Sequence, residues 1–175
     1  IYNNTETQYL SPGEKFYEIL IAELKQASQA MYNFAKAIEV ARKGRKYDTA
    51  KWEEFLQRAC EAVSNRILSP DWNPVSTAEG FYIAPLAISS KLFRNKRYLE
   101  AARKASELYA ARHLTMNGCY WGGTLDATCE DKEGSWAAFQ GFLEMYERTK
   151  EQKYLGWAKH AMDVCLSYVV VWDIP

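Results

Sequence analysis

Arg97-Tyr98-Leu99-Glu100-Ala101-Ala102-Arg103-Lys104-Ala105 lines up with Lys153-Tyr154-Leu155-Gly156-Trp157-Ala158-Lys159-His160-Ala161, 56 residues further on. Lys46-Tyr47, followed by Trp52, occupies the same place 51 residues earlier. Each time a short polar turn leads into a basic residue, a tyrosine and an apolar stripe at helical spacing. A period of roughly 50 residues that is helical on both sides of a turn means helical hairpins packed side by side.

Working outward, the helical period continues almost throughout. Ser11-Pro12-Gly13-Glu14 reads as a serine cap, a proline at the first helical position and a carboxylate three after the cap. Phe16, Leu20, Leu24, Ala27, Met31, Phe34, Ile38 and Ala41 then mark one face of a helix that Gly44 ends. A second helix starts near Asp48-Thr49, carries Trp52, Phe55, Leu56, Ala59, Val63 and Ile67, and stops at Ser69-Pro70. A third begins after Ser76-Thr77-Ala78-Glu79, with Pro85 in its first turns to kink or shorten it, and runs to about Phe93. The fourth covers about Tyr98 to Leu114. The fifth runs from Asp131 or Ser135 to Thr149, and the sixth from Lys153 to about Val171. No segment alternates with period two long enough for a strand. The expectation is an all-α chain: stacked antiparallel hairpins, three of them, six helices.

The composition agrees. The chain has 175 residues, 48% of them hydrophobic, enough for a core without staples. Its 22 basic and 22 acidic side chains cancel, so it lacks the basic footprint of a nucleic-acid or anionic-membrane binder. No apolar run approaches the ~18 residues of a membrane span. Cys60 and Cys165 sit in apolar helical patterns and read as buried thiols, whereas Cys119 and Cys129 flank a loop and are able to pair in an oxidising compartment. No metal-ligand spacing is present and no cofactor motif is visible. There is no initiator Met, and the chain stops at Trp172-Asp173-Ile174-Pro175, which points to a piece of a longer protein or a processed N-terminus.

The connections alternate in length. Turns within hairpins are short, and links between hairpins, Ser69 to Thr77 and Thr115 to Glu130, are long. In antiparallel hairpins all long links gather at one end, and long ordered loops on a rigid scaffold are where function sits. That end is rich in aromatics and acids. One link carries Asp71, Trp72 and Asn73; the other carries Tyr120-Trp121-Gly122-Gly123-Thr124-Leu125-Asp126 and then Glu130, Asp131 and Glu133. Tyr120, Trp121 and Trp72 suit the C–H faces of sugar rings. Asp126, Glu130, Asp131 and Glu133 are candidates for the two carboxyl groups, ~5 to 9.5 Å apart, that glycoside hydrolysis needs. Glu130, Asp131 and Glu133 equally fit capping and dipole compensation at a helix start; Asp126 lies too early in the loop for that. His113 is a candidate substrate-binding or proton-abstracting base, and it also fits compensation of a helix C-terminus. Trp136 and Trp157 read as core.

The block from Tyr120 to Gly134, followed by Leu143, Tyr146, Thr149, Lys153-Tyr154-Leu155, Ala158, Tyr168 and Trp172, resembles the six-hairpin glycosidase superfamily. The resemblance covers residues 76–175 and reaches the first hairpin only through its period. It implies an (α/α)6 toroid about twice this length, so residues 1–175 would be a single helical domain forming part of a larger catalytic one, a partial toroid. It also implies a carbohydrate substrate, a cleft at the long-link end with acidic catalysts, and a periplasmic or extracellular setting. A sugar epimerase or isomerase using His113, and a non-catalytic helical-repeat binding module, are the rival expectations. Half a toroid leaves inner-helix faces uncovered, so self-association or a large exposed apolar patch is expected.

Overall fold

A computed structural model of the chain describes residues 12–44, 47–74, 77–114 and 132–169, with side chains described from residue 27 onward except at 77 and 78. Six α-helices and one short 3-10 helix make up the described residues, and no strand occurs among them. The helices are α1 (Pro12–Gly44), α2 (Ala50–Leu68), α3 (Ile83–Leu92), α4 (Lys96–His113), α5 (Lys132–Thr149) and α6 (Gln152–Ser167); the 3-10 helix, Thr77–Tyr82, precedes α3.

The helix ends follow local chemistry. Pro12 opens α1, where its missing N–H has no partner to lose, and Arg42 and Lys43 sit against the negative end of the dipole. Asn95 caps α4, its Oδ1 accepting from the Arg97 N–H at 3.0 Å. Pro85 lies in the first turn of α3, and the chain stays 3-10 until two residues before it. Glu79, in the first turn of the 3-10 helix, gives its carboxylate to Arg66 and Trp72. The sixth helix ends at Ser167 instead of Val171. The Tyr168 and Val169 amides donate to Cys165 and Leu166, three residues back, and tighten the last turn ahead of a β-branched run.

The helices pair as hairpins α1–α2, α3–α4 and α5–α6, and the hairpins stack in chain order. α1, α3 and α5 form one layer with α3 in the middle; α2 and α4 pack side by side behind α1 and α3, and α6 lies on α5. α3 is flanked on both sides, so every residue from Ile83 to Ser89 is buried. Each fully buried Ile or Leu there contributes about 1.5–3 kcal/mol. Cys60 and Cys165 are buried free thiols, as expected, and burial pushes the Cys60 thiol up to about 12. Cys119 and Cys129 lie outside the described residues.

The 56-residue repeat is visible in the backbone and in the contacts. Arg94 and Lys150, equivalent in the repeat, are the two described non-glycine residues at positive φ, 53° and 60°. Each ends the first helix of its hairpin in a left-handed cap. Tyr98 and Tyr154, also equivalent, are buried against the preceding hairpin. The Tyr98 hydroxyl donates to the Gln57 carbonyl at 3.3 Å, and the neighbouring Arg97 reaches Asn65 at 2.7 Å. Tyr154 Oη accepts from Arg103 at 3.3 Å, while Lys153 pairs with Glu107 and Arg103 pairs with Glu151 at 2.7 Å. The first hairpin departs from this pattern. Tyr47 lies before α2 and is 70% exposed. Trp52 and Phe55, expected on the buried stripe of α2, are exposed; the buried face is Leu56, Cys60, Ser64 and Ile67.

Candidate functional site

The chain reverses at each turn, so the link from Ser69 to Pro74, the end of α4, the start of α5 and the end of α6 share one end of the stack. Arg112, near the end of α4, donates to the Pro74 carbonyl and to Asn73 Oδ1, which fixes the first link against that helix. Two clefts open at this end.

The first is polar, about 340 Å³, and lined by Arg66, Ser69, Asp71, Trp72 and Glu79 among others. Glu79 is buried and organises it: one carboxylate oxygen accepts from Arg66 Nε at 3.1 Å, the other from Trp72 Nε1. A buried carboxylate satisfied in this way is a structural anchor, tying the 3-10 helix to α2 and to the link. Trp72, expected as a sugar platform, is buried. Its ring meets Tyr109 edge-on, centroids 6.5 Å apart, and the Lys104 ammonium sits 5.6 Å from its centroid. His113, the other expected binding residue, is fully buried and stacks on Tyr109 at 5.5 Å and 11°. Burial, with Arg112 adding to it, lowers its imidazole to about 4 and keeps it neutral at pH 7. Trp72 thus lines the cleft as a largely buried ring, and His113 lies in the packing beneath it. Tyr109 and His113 lie four apart on the buried face of α4, with the Tyr109 ring against Gly80 of the 3-10 helix.

The second cleft is a predominantly apolar groove of about 550 Å³ between the start of α5, the end of α6, α1 and the 3-10 helix. Phe81, Trp136, Met162 and Leu166 form its walls, and Lys132 and Glu133 stand at the α5 end. Glu133 is exposed in the first turn of α5, at the positive end of the helix dipole. Trp136 follows it by three residues on the same helix face. That indole, expected in the core, is 45% exposed, and its ring meets Phe139 with centroids 5.6 Å apart. Trp157 is half-buried between Phe142 and Tyr154, in line with expectation.

Of the expected site residues the structure therefore brings Glu133 to the apolar groove and places Trp72 and His113 in the packing at the polar cleft. Asp126, Glu130, Asp131, Tyr120 and Trp121 lie outside the described residues. Among the described residues lining the groove, Glu133 is the single carboxylate. Phe81 and Trp136 were missed as lining residues. The three-residue spacing of Glu133 and Trp136 carried that signal for Trp136; nothing in the local sequence did so for Phe81. Among the described residues no three His, Cys, Asp or Glu side chains gather closely enough to hold a metal ion, and no described helix is long and apolar enough to cross a membrane.

Comparison with known protein families, curated proteins and solved structures gave no significant match for this chain.

Proposed function

We propose that the chain is part of a carbohydrate-active helical toroid, a glycoside hydrolase acting on poly- or oligosaccharide, with its sugar site at the long-link end. One observation carries this reading: Glu133 and the exposed indole of Trp136 share one face of α5 at the mouth of an open groove. An indole face covers the C–H face of a pyranose, and a carboxylate beside it accepts from ring hydroxyls. Asp126, Glu130 and Asp131 precede α5 in the chain and are the candidates for the second carboxyl group that hydrolysis requires. Tyr120 and Trp121, in the same link, are candidates for further stacking.

A non-catalytic glycan-binding module is the second reading, favoured by the single described carboxylate at the groove. The burial of His113 against Tyr109 counts against the epimerase reading, which needs that imidazole as a base. A panel of oligosaccharides, with binding followed by tryptophan fluorescence and bond cleavage by release of reducing ends, separates these. The hydrolase reading expects cleavage that Asp126→Asn or Glu133→Gln abolishes, and binding that Trp136→Ala weakens about tenfold or more. Binding without cleavage supports the module. A panel with no binding at all removes the carbohydrate reading.

A further inference from the structure

The 3-10 helix divides the two clefts. It has three residues per turn, so Glu79, Gly80 and Phe81 take three sides of it. Glu79 lines the polar cleft, Gly80 sits on the Tyr109 ring and Phe81 lines the α5 groove. The described walls of the polar cleft come from one stretch of chain, Arg66 to Glu79, where the first hairpin passes to the second. The link in that stretch is fixed to the helices behind it. Lys104 Nζ donates to the Ser69 carbonyl at 2.7 Å, and Arg112 donates to the Pro74 carbonyl and to Asn73 Oδ1. The Trp72 indole N–H donates to the buried Glu79 carboxylate. A wall held in this way costs a ligand little ordering entropy. At about 340 Å³ the cleft is at the small end of the range for ligand pockets, which suits one ring and not a polymer.

The polar groups at its mouth are of both kinds. Among the described lining residues Arg66, Asp71 and Asn73 are exposed. Asp71 Oδ1 accepts from the Ser69 hydroxyl, and a carboxylate has about four acceptor sites, so accepting capacity remains. Asn73 has given its Oδ1 to Arg112 and keeps its Nδ2 as a donor. Ions of either sign fit this set poorly. An anion meets the exposed Asp71 carboxylate and finds Arg66 already balanced by Glu79. A cation meets Lys104 and Arg66, and the Ser69 and Pro74 carbonyls that would ligate it are taken by Lys104 and Arg112. The Ser69 hydroxyl foremost, with Lys104 and Arg66 adding positive charge, holds the Asp71 carboxyl below the usual carboxylate range. An ionised acceptor and an amide donor at one mouth match a neutral group that both donates and accepts. Neighbouring hydroxyls on a ring do so: they give Asp71 protons to accept and Asn73 an oxygen to donate to.

We propose that the polar cleft is a binding site for a neutral, hydroxyl-rich ring, a single pyranose unit, held by Asp71 and Asn73. It is separate from the α5 groove, and either site stands without the other.

Heteronuclear NMR of the 175-residue chain reads the two sites separately. The reporters are the indole N–H signals of Trp72 and Trp136, each assigned by substitution with phenylalanine. The probes are glucose, mannose, galactose and xylose, with phosphate and calcium as the ionic alternatives. At least one pyranose is expected to move the Trp72 indole and the Asn73 side-chain amide along one saturable curve in the millimolar range, while phosphate and calcium leave both in place. Asp71→Ala is expected to weaken that binding about tenfold. Asp71→Asn keeps an oxygen for the Ser69 hydroxyl, and so the shape of the link, and is expected to weaken it about threefold, the step from a charged to a neutral acceptor. Movement of Trp72 alone supports the cleft and counts against the groove. A Trp72 signal that no pyranose moves overturns the proposal, even where Trp136 responds and the groove stands. So does saturation of the Trp72 signal by phosphate or calcium, or pyranose binding that both Asp71 variants leave unchanged.

Discussion

His113 shows how one residue's environment sets a chemical role. A histidine at the last turn of a helix ordinarily gains from being charged, because the dipole there is negative. Here desolvation wins: the ring is fully buried on Tyr109, Arg112 adds like charge, and the imidazole falls from 6.5 to about 4. In the window between those values the unfolded chain binds a proton that the folded chain refuses. Stability is therefore complete above pH 6.5 and is lost as the pH falls toward 4, by about 2–3 kcal/mol from this group. His113→Phe keeps a ring on Tyr109 and removes the titration. Urea midpoints between pH 4.5 and 7.5 are expected to slope in the wild type and to flatten in the variant. Parallel slopes would show that His113 titrates normally and is not held neutral by burial.

At the scale of elements, two helical glycines in the third hairpin have opposite meanings. Gly141 on α5 is where that helix meets α3: a Cβ there would stand 2.9 Å from the Ile83 Cβ, and Ile83 is fully buried. Gly156 on α6 faces open space. An alanine at 156 gains helix propensity alone, about 0.5–1 kcal/mol. At 141 the same gain is outweighed by overpacking of about 1–3 kcal/mol. Thermal melts are thus expected to move up for Gly156→Ala and down for Gly141→Ala; equal shifts would mean that α5 and α3 do not meet at Gly141. Neither sign was legible in the sequence, because the difference lies in which face of a helix another helix approaches. What was legible is periodic. The helix count, Gly44 as a stop, Pro85 as an early limit on α3 and the 56-residue repeat all rest on spacing within one segment. The failures are where tertiary contact decides. Trp52 and Phe55 fall on the apolar stripe of α2 but at the edge of its buried face: both stay exposed, and Phe55 meets α1 at Phe34, ring centroids 5.3 Å apart. Trp136 read as core because it is apolar and helical, yet it stands at the end of the stack where nothing described covers it. Trp72 looked like an exposed loop aromatic, and Glu79, seven residues on, holds it inward.

For the whole molecule, the question is what makes three hairpins one cooperative unit when stacked repeats touch only their neighbours. Here the first and third hairpins also touch. Arg148, near the end of α5, pairs with Glu39 on α1 at 3.3 Å and with Glu144 at 3.2 Å, and Lys36 on α1 also pairs with Glu144. The Arg148 and Glu144 side chains are only 10% and 9% exposed. The bridge spans 109 residues of sequence and closes α1 over α3 onto α5. Truncating one member of a largely buried ionic group leaves its partners desolvated and under-compensated, at a cost of about 3 kcal/mol. Arg148→Ala is therefore expected to lose about that much, and to lose it unevenly. With the strap gone, the first hairpin keeps its contacts to the second while the third no longer depends on it. Urea unfolding followed by fluorescent probes placed near Trp52 and near Trp157 is expected to give coincident curves in the wild type and separated curves, with smaller slopes, in the variant. Curves that remain coincident in Arg148→Ala would place the coupling in the apolar packing of α3 alone, since α3 touches α1, α4 and α5 and survives the substitution unchanged.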